Sequence, residues 1–267
     1  MEDIIIPYKE VPLEVKLEIN QFTSNSTVAL LGYDNNRHPI PGLLASGTFI
    51  KINSKYGVLT AKHVWERFKK IENISFSFLG KTHLTLERTE YIRCYSPNND
   101  IDICFLEIPP TILGTIKAAS NFHPIVNSSY SDASEIEKRL CITVGFPLEI
   151  QPIKERKLNI LRYYTHITKH SQVSENWDII ELDVKAIEPP NELPKTFGGM
   201  SGGGIWSFKG FFDLVNNQRK FFIRKNLKDS LLAGVNYCEE FLNGNVPKIY
   251  GVGPISIYSG ITKLVQK

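Results

Sequence analysis

The chain has 267 residues, 42% hydrophobic and 22% charged, which is the balance of a soluble globular protein with enough apolar material for a sizeable core. Its 31 Lys and Arg against 28 Asp and Glu give a formal charge of +3, too small to point to a nucleic acid or a membrane surface. No apolar run approaches the roughly 18–20 residues of a membrane span, and MEDIIIPYKE lacks the basic and long apolar regions of a secretory signal. Cys94, Cys104, Cys141 and Cys238 form no CxxC pair, which excludes a zinc-ribbon spacing and argues against a disulfide framework. The expectation is a cytoplasmic chain.

Short β-branched and aromatic runs recur between Gly, Pro, Asn and Ser. In the first half they predict strands at Val28–Gly32, Leu44–Ile52, Gly57–Thr60, Ile74–Leu79, His83–Tyr95 and Asp102–Ile108. In the second half they predict Leu140–Gly145, Leu158–Lys169, Trp177–Val184, Gly203–Phe208, Leu231–Cys238 and Val252–Tyr258. Short helices fit Glu14–Thr23, Ala61–Lys70, Ser131–Arg139 and Gly260–Gln266, and Pro109–Ser134 reads as a loop-like crossing. About six strands per half make an all-β chain of two barrels or sandwiches. The division is an extension over 1–24, a first unit over 25–115, a connection over 116–134 and a second unit over 135–267.

Three segments carry chemistry. In the first, the hairpin Ala45–Ile50 and Gly57–Val64 delivers His63 just past a strand end, a rigid support from which a general base reaches a cleft. His38, His83, His123, His166 and His170 read as packed or solvated histidines. His166 and His170 have a helical ligand spacing but lie in a strand-like stretch, so no metal site is expected. In the second, Asp102 heads the apolar run Ile103–Ile108, where a buried acid needs hydrogen bonds or a cationic partner. In the third, Gly198, Gly199, Gly202, Gly203 and Gly204 crowd around Ser201. Glycine permits positive φ and close approach, so the N–H groups of Gly199 and Ser201 can converge as an oxyanion hole. A phosphate-cradling loop would need a helix to follow, whereas Ile205–Phe208 reads as a strand. The order His, Asp, Ser in a two-part β chain is the specific signal.

Here the sequence resembles the trypsin/chymotrypsin-like serine peptidases, in their bacterial, disulfide-free branch. Thr60-Ala61-Lys62-His63-Val64 matches the family's T-A-x-H block, and Asp102-Ile103-Cys104-Phe105-Leu106-Glu107-Ile108 its acid block. Asp100 fits one frame earlier only by putting Asp102 where the family has a small apolar residue. Gly199-Met200-Ser201-Gly202-Gly203-Gly204 matches G-[DN]-S-G-G-P at four of six positions, and Gly145-Phe146-Pro147 resembles a turn common in bacterial members. The resemblance runs from about residue 25 to 260. It implies an all-β fold of two six-stranded antiparallel chymotrypsin-like barrels with short terminal helices, and a catalytic triad of His63, Asp102 and Ser201. Met200 stands where zymogen-type members carry the acid that pairs with a new N-terminus, which implies no activation by that route.

The resemblance further implies an endopeptidase acting on a polypeptide substrate without cofactor or metal and engaged with one dedicated protein in a bacterial stress or defence pathway. An always-active cytosolic peptidase would be hazardous, so regulation by a protein partner or an order–disorder step is expected. It puts the primary pocket at Lys195 and Thr196 and along Leu231–Glu239, with Asn236, Tyr237 and Glu239 on the wall. An inward Lys195 favours acidic substrates, whereas Glu239 and Glu240 favour basic ones, and both stay open. A gated or inactive peptide-binding module on the same fold is the competing class. A nucleotide binder using the glycine run is a third.

Overall fold

The computed structural model describes residues 13–36, 38–78, 82–86, 92–98, 100–126, 136, 139–151, 158–184, 197–208, 210–215, 218–223, 230–240 and 248–267. Helix α1 (Leu13–Ser26) leads into β1 (Thr27–Tyr33), β2 (Pro39–Ile52) and β3 (Lys55–Thr60). Helix α2 (Lys62–Phe68) follows, then β4 (Asn73–Phe78), β5 (Thr82–Leu86), β6 (Arg93–Tyr95) and β7 (Cys104–Glu107). Helix α3 (Pro110–Ala119) and β8 (His123–Ile125) complete the first unit. The second unit comprises β9 (Leu140–Gly145), β10 (Leu161–Ser174), β11 (Trp177–Val184), β12 (Gly204–Phe208), β13 (Gly210–Val215), β14 (Gln218–Ile223), β15 (Leu231–Glu240) and β16 (Lys248–Val252). A wide helical turn, Ser256–Ile261, then runs into α4 (Thr262–Gln266).

The architecture is mostly β, two strand-built units with a few short helices. The second unit is a closed six-stranded barrel in the order β10-β11-β16-β15-β12-β9, with β13 and β14 paired as a separate hairpin. The first is an eight-stranded sheet, β5-β4-β1-β2-β3-β7-β6, with β8 attached to β2. Among the described residues its path stays open between β5 and β6, and β8 runs parallel to β2 in a unit otherwise antiparallel. The stretch 109–134 is less loop-like than its prolines suggest. Pro110 takes the first helical position, where its missing N–H costs nothing, and buried Ile116 anchors the helix. The run His83–Tyr95 is two strands, β5 and β6, with 87–91 outside the described residues. Most of the expected helix at Ser131–Arg139 also lies outside them.

Strands β2, β3 and β7 form a wall between two cores. In β2, Ala45 and Phe49 pack with Val28, Leu30 and Phe76 in the first core, while Ile50 and Ile52 face the second with Trp206 and Leu232. Val58 and Leu59 of β3 divide in the same way, as do Leu106 and Phe105 of β7. Side chains alternate across a strand, so a wall buried on both faces reads as an unbroken apolar run. This explains why the sequence around Asp102 and before His63 shows no polar alternation. His63 and Asp102 stand just beyond one end of this wall, past the Thr60↔Cys104 pair of β3 and β7.

Candidate active site at the crevice between the units

His63 is the second residue of α2, directly beyond β3. β3 pairs antiparallel with β7 through Thr60↔Cys104. Continuing that register past the strand ends brings Asp102 alongside the first turn of α2. His63 Nδ1 lies 2.5 Å from Asp102 Oδ2, and the His63 backbone N–H donates to Asp102 Oδ1 at 2.8 Å. Ala61 precedes the helix with no side chain able to cap it, so Asp102, in the segment before β7, supplies an acceptor that a helix start requires. A carboxylate that only accepts fixes the ring proton on Nδ1 and leaves the Nε2 lone pair free. The imidazole side chain is 43% exposed and the carboxylate 22%, so the ring reaches solvent while the carboxylate that holds it is shielded.

Two ties hold this corner. Lys62 Nζ donates to the carbonyl of Pro97 at 3.0 Å, tying α2 to the connection between β6 and β7 in which Asp102 lies. The Cys104 thiol donates to the Ala61 carbonyl at 3.8 Å. Burial pushes the Cys104 thiol well up, and its hydrogen bond to Cys94 lowers the Cys94 thiol. Cys104 and Cys141 are buried free thiols, as their apolar strands suggested, and Cys94 is a half-buried one. The Cys238 side chain lies outside what is described.

The glycine segment is a pinned turn. Met200 N–H donates to Phe197 O at 2.9 Å, closing a turn with Gly199 in its third position at φ +90°. Gly198 does not share the positive φ, which makes the turn type II and explains the glycine at 199. Three consecutive peptides are then held by their carbonyls. Leu148 N–H donates to Gly198 O at 2.7 Å, Ser46 Oγ to Gly199 O at 2.7 Å, and Gly203 N–H to Met200 O at 2.9 Å. In a trans peptide the N–H points opposite its carbonyl, so the Gly199 and Ser201 N–H groups are aimed by these anchors. Neither finds an acceptor among the described residues. Two such N–H groups flanking Met200 form a concavity suited to an anion or a developing oxyanion.

Ser46 on β2 is the element that sequence reasoning missed. Its hydroxyl donates to Gly199 O and accepts the Phe146 N–H at 2.8 Å, and its backbone N–H donates to Ser201 O at 3.0 Å. Its carbonyl accepts Thr60 Oγ1 at 2.8 Å. One residue therefore joins the strand before His63, the Gly145-Phe146-Pro147 turn and the Ser201 turn. Gly202, at φ +89°, lies so close to Thr60 Oγ1 and Ser46 O that a Cβ would collide with both. The signal was present as a small buried serine between Ala45 and Gly47, but a serine in an apolar strand has many uses.

The Ser201 turn thus rests against Thr60, three residues before His63. The Ser201 hydroxyl makes no hydrogen bond among the described residues, so its link to His63 is not formed in this state. Such links are often loose without substrate. Beside Ser201 opens a cavity of about 250 Å³ lined by Phe197, Gly198, Met200, Asn236, Tyr237 and Ile249. Of the expected pocket residues, Asn236 and Tyr237 line it. Lys195 and Thr196 lie outside the described residues, and Glu239 is placed only by its backbone pairing with Ile249. A wider cavity of about 570 Å³ beside Arg93, Glu107 and Pro110 sits at the far end of β7, about 16 Å from Asp102 along the strand. His170 and His123 are structural. His170 Nε2 lies 2.8 Å from the buried Asp178, and the His123 ring packs edge-on against Trp206 and Phe22.

No protein-family model and no curated protein matches the chain. Among solved structures it is similar to the protease Anisep from Arthrobacter nicotinovorans, with 14% identity, a TM-score of 0.48, and coverage of 92% of this chain and 98% of that one. It is similar to the same degree, 14% and 0.48, to a chain from work on coupled folding and binding of the disordered Sesbania mosaic virus VPg protein, with 88% of each chain covered.

Proposed function

We propose that the chain is a serine endopeptidase that cleaves peptide bonds through an acyl-enzyme on Ser201. The observation that carries the reading is the combination at one crevice of an Asp102-oriented His63 and a serine on a turn with two unclaimed N–H groups. Ser201 Oγ attacks the substrate carbonyl as His63 Nε2 takes its proton. Asp102 holds the ring in the required tautomer. The Gly199 and Ser201 N–H groups receive the oxyanion, each donor contributing about 3–4 kcal/mol to the barrier reduction. His63 then passes the proton to the leaving amine, the C–N bond breaks, and water repeats the sequence on the ester.

Labelling of Ser201 by a fluorophosphonate, and hydrolysis of a fluorogenic protein substrate, test this reading. Both should vanish in Ser201→Ala, and hydrolysis should vanish in His63→Ala. Undiminished hydrolysis by purified Ser201→Ala protein would sink the assignment. The unformed Ser201–His63 hydrogen bond favours one refinement, a site completed by substrate or a regulatory protein. Labelling that appears only with the partner present would mark this gated form. A cytoplasmic location and a dedicated protein substrate in a stress or defence pathway belong to the same proposal. A nucleotide-binding use of the glycine run is disfavoured, because β12 and not a helix follows it.

A further inference from the structure

Asn236 combines features that the peptide-hydrolysis chemistry leaves unused. It lies on β15 opposite Gly251, and its backbone is bonded on both sides to the serine turn, Gly202 N–H to Asn236 O at 2.7 Å and Asn236 N–H to Gly203 O at 3.0 Å. A bulge between Asn236 and Cys238 breaks the register of β15 against β16, the kind of irregularity that re-aims side chains beside a site. The Asn236 side chain is only 3% exposed, yet neither Oδ1 nor Nδ2 has a hydrogen-bond partner among the described residues. It lines the cavity next to Ser201, where Phe197, Met200, Tyr237 and Ile249 supply mainly apolar surface.

A buried amide with an idle donor and an idle acceptor is costly unless something fills both. The described wall offers neither a cation nor an anion, so a charged side chain entering it would be desolvated unpaired. An aliphatic one would leave Asn236 unsatisfied. A primary carboxamide answers both idle groups at once, its N–H meeting Oδ1 and its carbonyl meeting Nδ2. Because Asn236 is so deeply buried, the reaching side chain needs a long apolar stem, which glutamine has. We propose that the cavity selects a carboxamide side chain, glutamine foremost, in the residue whose carbonyl is attacked, with Asn236 as the specificity-determining residue. The inference rests on Ser201 being the nucleophile, since that role makes this cavity the seat of that residue.

The test separates the pocket from the chemistry. Ser201→Ala protein is titrated by calorimetry with peptides of one sequence ending in Gln, Leu, Glu or Arg, which mimic the acyl-side product. The Gln peptide should bind about 10- to 100-fold more tightly than the other three, the value of two hydrogen bonds to otherwise orphaned groups. In the same background Asn236→Leu should erase that preference in favour of Leu. Because Asn236→Leu can fail to fold, Asn236→Asp, of equal volume, is measured beside it and should shift the preference from Gln to Arg. Equal binding of all four peptides, no binding of any, or a preference for Glu, Arg or Leu by the Asn236 protein overturns the inference. A Glu preference would instead assign the pocket to Lys195. Fluorophosphonate labelling of the unsubstituted protein judges the nucleophile separately, so a missing label with Gln-selective binding defeats the peptidase reading and leaves the pocket standing.

Discussion

Replacing Ser46 by alanine removes one oxygen and leaves two groups without their partner. Phe146 N–H, on a residue 1% exposed, loses the acceptor 2.8 Å away, and Gly199 O loses the donor at 2.7 Å. The space left is one hydroxyl, too small to admit a bridging water. An orphaned buried N–H costs about 1–3 kcal/mol, and the carbonyl adds less because its turn borders the open crevice. The expected loss is about 2–3 kcal/mol, or about 4–6 °C in melting temperature for a chain of this size. The backbone bonds of Ser46 to Ser201 and Thr60 persist, so the units should stay joined. Freed of its anchor, the Gly199 carbonyl no longer fixes the turn between the two oxyanion donors. These donors act on charge that develops only in the transition state, so kcat should fall about 10- to 100-fold with KM nearly unchanged. Thermal melts and steady-state hydrolysis by the purified variant give both numbers. Ser75→Ala is the control, since the buried Ser75 hydroxyl has no partner among the described residues and its removal should be neutral or stabilising. A Ser46→Ala protein that melts within 1 °C (about 0.5 kcal/mol) of the parent and keeps full turnover would refute the reasoning.

Gly202→Ala should abolish turnover and lower the melting temperature more than Ser46→Ala does. It meets a left-handed φ costing about 1–2 kcal/mol and a collision with Ser46 O and Thr60, so a soluble variant of full activity would contradict the packing. Asp178→Asn should destabilise by about 2–4 kcal/mol in urea unfolding, because the buried carboxylate accepts from Ser256 N, Ser256 Oγ, Ile255 N and His170 at once. The start of the C-terminal helical segment should show the largest rise in amide exchange, and uniform exchange would disprove a local cap. Burial lowers His123 from 6.5 to about 4. A base held neutral by the fold gives the unfolded chain the stronger hold on its proton, so this group's penalty is absent above pH 7 and grows as pH falls from about 6.5 to 4. The full shift corresponds to about 3 kcal/mol and the ring's partial exposure reduces it to about 2. His123→Phe should flatten that slope of stability against pH, and an unchanged slope would place its origin elsewhere.

The β architecture and the positions of the candidate residues at strand ends were legible because they depend on short local patterns. His63 and Asp102 each stand at the edge of an apolar strand, and the β3–β7 register needed to join them follows from two neighbouring hairpins. The choice of Asp102 over Asp100 came from the family pattern, and Asp102 is the one that meets His63, between buried Ile101 and Ile103. The double burial of β2 was visible only as an apolar run, and that pattern does not say which face meets which core. Ser46 was illegible as an anchor because the carbonyl it holds lies 153 residues away, whereas Asn236 was placed on the pocket wall through the resemblance and its idle amide emerged only from the packing. Helix α3 was hidden by Pro109-Pro110, which reads as a breaker unless the second proline opens the helix.

The crevice is held by more than its own loop. Helix α1, at the start of the first unit, packs Phe22 against Trp206 and Phe208 of the barrel, and Arg162 of β10 donates to Asn20 O and Ser24 Oγ. The segment after the barrel reaches the other way, where Lys55 Nζ on β3 donates to Val265 O at 2.9 Å and to Tyr95 Oη at 2.6 Å. Tyr95 in turn donates to Glu107. Each unit is therefore strapped by a helix that the chain adds to the opposite one. The proposed triad, divided between two units, requires their separation to stay fixed to within about 0.5 Å. The Ser46 contacts are joined in this by the core that β2, β3 and β7 share with the barrel, and the two straps add to both. The straps add aromatic and polar contacts between the units, while the crevice keeps its unpaired N–H groups and the idle amide of Asn236.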